Sequence, residues 1–160
     1  LAKVLTIIGL IFVWYQIREA RKISKGQFLL NFDAEFRHHN EIYYRLLQHE
    51  QWDELNDKSK RAKLISYLGL FERIYSLVQD GILSIGQVDR LYGYRLDDLI
   101  THDAIFEVIA NYDSKWEDLT CLIKDINEYK KEKRVAVDSI LSARIDELPC
   151  TKPDWRDMTD

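Results

Sequence analysis

Proline is absent from the first 148 residues; the chain's two prolines stand at 149 and 153. Six glycines are the only other strong breakers in 160 residues. Pro costs about 3 kcal/mol in a helix interior and Gly about 1 kcal/mol relative to Ala. A chain with so few of either is expected to be helical nearly throughout, and its length suits one domain with appendages.

Helical periodicity is clearest between Ser59 and Gln79, where Leu64, Leu68, Phe71, Tyr75 and Val78 share one face. Gly81 then suits the left-handed position after a helix. Ser84 and Gln87 have the spacing of a capping box, and the helix they open is expected to reach Ile100. "NEIYYRLLQHEQW" and "DAIFEVIAN" read as shorter amphipathic pieces. "DSKWEDLTCLIKDINEYKKEK" reads as a long helix capped by Asp113 or Ser114. The end, weakly periodic to Leu148 and then polar, reads as a helix with a loose tail. Residues 18–133 are thus expected to form a bundle of four or five helices, followed by a C-terminal helix and tail over 134–160.

The N-terminal stretch has a different character. From Val4 to Tyr15 it carries no charge, and Arg18, Arg21, Lys22 and Lys25 follow. Grease, then Trp14 and Tyr15, then bases is the order in which a helix leaves a membrane on its cytoplasmic side. A secretion signal would place its bases in front and a small-residue cleavage site behind. Residues 1–17 are therefore expected to be a transmembrane helix, truncated at its start and completed by apolar residues upstream. Trp14, Tyr15, Arg18, Arg21 and Lys22 would form the interface, placing the protein as a single-pass component of a bacterial inner membrane with its body in the cytoplasm. Lys3, Thr6, Gly9, Val13 and Gln16 recur at three- and four-residue spacing and form the least greasy stripe, a candidate lining for a water-filled pore.

Residues 1–25 carry a net +4 and residues 26–160 a net −8. An acidic body does not attract nucleic acid without sequence preference, which excludes a general DNA or RNA binder. Cys121 and Cys150 stand far apart in unremarkable contexts and are expected to be free thiols. No CxxC, HExxH, Gly-rich phosphate loop or nucleophile elbow occurs, so neither a metal nor a cofactor is expected. His38 and His39 are adjacent and point about 100° apart on a helix, which separates them as ligands.

One pair of residues suggests chemistry. In "RLDDLITH", Arg95 and His102 are seven apart and would share a helix face. Arg can hold a phosphate while His exchanges a proton near neutral pH, as phosphodiester cleavage requires. A structural use is the alternative: Arg95 pairs with Asp98 one turn along, and His102 ends the helix.

This Arg–His spacing resembles the active-site motif of HEPN ribonucleases, although Leu96 stands where that family usually has a polar residue. The apolar N-terminus, the acidic helical body and the degenerate motif together resemble the small membrane accessory proteins of type VI-B CRISPR systems. That resemblance implies an all-α, divergent HEPN-like bundle behind a transmembrane helix. It also implies a non-enzymatic, ring-shaped and octameric pore in membrane lipid that depolarises the inner membrane in antiphage defence. The type VI-B RNA-guided nuclease would be its functional partner. The layout equally resembles uncharacterised bacterial families with one membrane helix and a cytoplasmic helical domain. The alternatives are therefore an anchored HEPN-type ribonuclease using Arg95 and His102, or an anchored scaffold.

Overall fold

The computed structural model describes residues 2–48, 58–111, 115–133 and 138–151; for residues 2–10, 21 and 22 only the backbone course is described. Every regular element among them is helical. The chain divides into two compact units, Leu1–Arg37 and His38–Asp160.

The first unit is built on α1, which runs from Ala2 to His38 and passes position 17 without a break. Arg37 and Asp33, one turn apart, pair at 2.9 Å. The Arg18 guanidinium lies 5.5 Å from the Trp14 ring centroid. The expected membrane span is not supported: among the described residues no helix is long and apolar enough to cross a membrane. The uncharged run from Val4 to Ile17 has 14 residues, about 21 Å of helix against a hydrocarbon thickness of about 30 Å. Arg18, Glu19, Arg21 and Lys22 then end it. This corrects both the fold expectation of a transmembrane helix and the placement as a single-pass inner-membrane protein with a cytoplasmic body.

The second unit starts with α2 (Asn40–Leu47) and α3 (Lys58–Gln79). All five residues of the periodic α3 face, Leu64, Leu68, Phe71, Tyr75 and Val78, are buried, each such burial being worth roughly 1.5–3 kcal/mol. Gly81 follows with φ 67°, the left-handed conformation that ends the helix. The capping box at Ser84 opens α4 (Ile85–Val88), with the Ser84 amide donating to Gln87 Oε1 at 3.2 Å.

Between Val88 and Ile100 the chain departs from one continuous α-helix. Asp89–Gly93 form a π turn, and α5 (Tyr94–Ile100) resumes behind it. The extra residue of a π turn shifts the phase of the following helix by about 100°. A Cβ at Gly93 would meet Asp89 Oδ1 at 2.5 Å, so the bare glycine leaves the Asp89 carboxylate room to fold against it.

Three further helices follow among the described residues: α6 (Asp103–Asn111), α7 (Glu117–Glu132) and α8 (Ser139–Asp146). The long α7 starts after Trp116; the expected caps Asp113 and Ser114 lie outside the described residues. α3 packs chiefly on α7, which also meets α4 and α8, while α5 packs on α2 and α6. Tyr75 reaches across the α3–α7 contact to donate to Asp125 Oδ2 at 3.1 Å. α8 is capped by Asp138, whose Oδ1 accepts from the amides of Ile140 and Leu141 at 2.8 and 3.2 Å.

The cysteines are joined, against the expectation of free thiols: Cys121 of α7 and Cys150 form a disulfide across a sequence separation of 29. The segment behind α8 is docked on α7 at the same place. Thr120 Oγ1 donates to the Pro149 carbonyl at 2.6 Å, the Thr151 hydroxyl to Glu117, and Leu148 is buried. Residues 148–151 are therefore docked rather than loose. Residues 152–160 lie outside the described residues.

Candidate functional site

Arg95, the first half of the candidate pair, is buried. It comes from the first turn of α5 and works across the contact with α2. Its Nε donates to the Tyr94 hydroxyl at 2.9 Å and its Nη2 to Asn40 Oδ1 at 3.4 Å. The Arg95 Cζ lies over the Tyr43 ring at 4.3 Å from its centroid and 5.5 Å from that of Tyr94, within cation–π range. Tyr43 and Tyr94 meet edge to face. Asp98 does serve the cluster, with Tyr43 as its partner: the hydroxyl donates to Asp98 Oδ2 at 3.0 Å.

The electrostatics follow from burial. Burial pushes the Tyr67 hydroxyl up to about 12, and the facing Arg95 guanidinium only partly opposes this. Burial, with the hydrogen bond to Asp98 and its charge, also holds Tyr43 at about 12. Burial works against the Arg95 charge, but the Tyr67 and Tyr94 hydroxyls outweigh it, and the pKa rises above the ordinary range. The guanidinium is thus a fixed cation beside the neutral phenols of Tyr43 and Tyr67.

His102 is not on the same helix. α5 ends at Ile100; Thr101 caps it with helical dihedrals, its amide donating to the Asp97 carbonyl at 3.2 Å and its hydroxyl to the Asp98 carbonyl at 2.8 Å. His102 instead opens α6, its carbonyl accepting from the amides of Ile105 and Phe106. Its imidazole Nε2 lies 2.5 Å from the Leu46 carbonyl, so that nitrogen must carry the proton and donate it. Arg95 reaches α2 at Asn40 and His102 reaches it at Leu46. Six residues of helix separate these points by about 9 Å. Both side chains fasten α2 to the elements behind it, and neither the shared face nor an Arg95–Asp98 pair is formed as expected.

The N-terminal candidates divide by what is described. Val13, Trp14, Tyr15, Gln16 and Arg18 are exposed on α1. Lys3, Thr6, Gly9, Arg21 and Lys22 lie on the same helix, with their side chains outside the described residues. Among the described residues no group of three His, Cys, Asp or Glu side chains could hold a metal.

Sequence reasoning missed two features. One is the tyrosine cage around Arg95, whose members Tyr43, Tyr67 and Tyr94 look like ordinary core or surface aromatics in their own windows. The other is a cavity of about 280 Å³ between α5, α7 and α8, edged by Asp97, Lys130 and Asp138. Neither has a local sequence signal, since each joins helices distant in the chain. No protein-family model, curated protein or solved structure matches this chain.

Proposed function

We propose that the protein is a non-enzymatic assembly protein, a helical bundle whose α1 arm joins several copies through apolar contacts. The observation that carries this reading is the run from Ile11 to Tyr15 with Ile17: all six residues are large and apolar, and each is 49–60% exposed. Five consecutive residues turn through more than a full circle of helix. The apolar surface therefore surrounds the arm rather than forming one stripe. A helix that is apolar on all sides is stable only when enclosed, and exposed apolar patches of this extent mark interaction sites. Neighbouring copies of the same arm offer such an enclosure symmetrically.

Of what the type VI-B resemblance implies, this proposal keeps the self-assembling, non-catalytic protein. The membrane span that its pore would need is absent from the described residues. Sedimentation of the purified protein at micromolar concentration tests the reading. The expected species is several times the 19.0 kDa chain mass, and a Phe12→Glu, Trp14→Glu double variant is expected to fall apart to monomer with its helix content retained. A monomer for the unaltered protein, or an assembly indifferent to the double variant, overturns it.

A further inference from the structure

We infer that the cavity between α5, α7 and α8 is a binding site for a small apolar molecule carrying one ammonium group. Its walls are aliphatic: Leu96 and Ile100 from α5, Ile123 and Ile126 from α7, Leu141 and Ile145 from α8. Its volume of about 280 Å³ is nearly twice the roughly 150 Å³ in which an apolar protein cavity takes up benzene. That suits a bicyclic ring or its equivalent. Ligand sites of this kind combine apolar walls with a few placed polar groups.

The polar groups select the charge. Among the described residues Lys130 is the one cation lining the cavity, and it is already committed. Its ammonium donates to both carboxylate oxygens of Asp97, at 2.8 and 2.6 Å, and lies 3.5 Å from Asp89. The π turn supplies Asp89, whose carboxylate folds against Gly93. Asp138 adds a further carboxylate to the rim and spends Oδ1 on the α8 amides. Asn127 spends its amide nitrogen on Ser142 Oγ at 3.1 Å and Asp146 Oδ1 at 3.2 Å. Among the described residues the lining therefore holds two carboxylates, Asp97 and Asp138, against one ammonium, and Asp89 adds its charge behind Lys130. An anion sharing the Lys130 ammonium would sit against the Asp97 and Asp89 carboxylates that already hold it, whereas a ligand ammonium finds acceptor capacity in the remaining lone pairs of Asp97 and Asp138. Every lining residue belongs to the His38–Asp160 unit, and the inference stands or falls independently of assembly.

Tryptamine, methylindole and indolepropionate share one ring and differ in charge, so they test shape and sign together. Calorimetric titration of the full-length protein is expected to show saturable one-to-one binding of tryptamine. Both other compounds should bind at least about tenfold more weakly, since each lacks the charge that the rim selects. Asp97→Asn, at a half-exposed position that leaves the core intact, should weaken tryptamine by about tenfold. Ile126→Trp should abolish binding by filling the cavity, with circular dichroism checking its fold. If that variant unfolds, Asp97→Asn decides alone. No saturable tryptamine binding, equal affinity for the three compounds, preference for the anion, or an unchanged affinity in Asp97→Asn each overturns the inference.

Discussion

Arg95 shows how one buried cation can organise a helix contact. Its stacking on Tyr43 and its hydrogen bonds to Tyr94 and Asn40 all disappear in Arg95→Ala, leaving polar groups of the cage without their partner. Hydrogen bonds to a charged group are worth roughly 1.5–3 kcal/mol, so a loss of about 2–3 kcal/mol is expected in urea unfolding. Arg95→Lys should recover little of it, because an ammonium lacks the planar stacking surface. No RNA cleavage should be present to lose, and cleavage that disappears in Arg95→Ala and His102→Ala without a change in stability would contradict the structural role. The tyrosines make a second prediction. Tyr43 and Tyr67 stand near 12 against an ordinary 10.0, so the folded protein keeps protons that the unfolded chain gives up. Their contribution is fully present below pH 10 and is lost as pH rises from 10 towards 12. Denaturation midpoints should fall across that window, and Tyr67→Phe should flatten the fall.

At the scale of elements, what could be read from the sequence was what a short window contains. The α3 face was legible because five apolar residues recur at helical spacing, and Gly81 and the Ser84–Gln87 box because each is a local backbone device. The π turn was not, since Gly93 is the one breaker in Asp89–Gly93, and a single glycine lowers the stability of a continuous helix without marking a π turn. The shared Arg95–His102 face failed for a related reason: periodicity cannot see that α5 stops at its Thr101 cap and that His102 opens a new helix. The cage and the cavity depend on pairings between distant helices, which no window contains. Asp138 was a detectable cap passed over in a weakly periodic stretch. Asp138→Ala should cost about 1 kcal/mol by leaving the first amides of α8 unbonded, measurable as faster hydrogen exchange at Ile140 and Leu141 and a lower unfolding midpoint.

For the whole molecule, the two units predict separable behaviour. Deleting residues 1–17 removes the apolar stretch of α1 without removing any residue of the His38–Asp160 unit. The shortened protein is expected to remain helical by circular dichroism and to sediment as a monomer. Loss of the helical signal beyond the deleted turns would make that stretch part of the fold rather than a means of assembly. The Cys121–Cys150 link bears on the same unit as a mechanical element. Between its two sulfurs lies a sequence separation of 29, which fully stretched would span roughly 90–100 Å. With the bridge closed, tension applied at the chain ends bypasses that length: force runs through the sulfurs, and α8 carries none of it. Pulled singly in an optical trap, the oxidised protein should unravel to a contour roughly 90–100 Å shorter than the same protein in reductant, and equal contours would show that the two cysteines carry no load together.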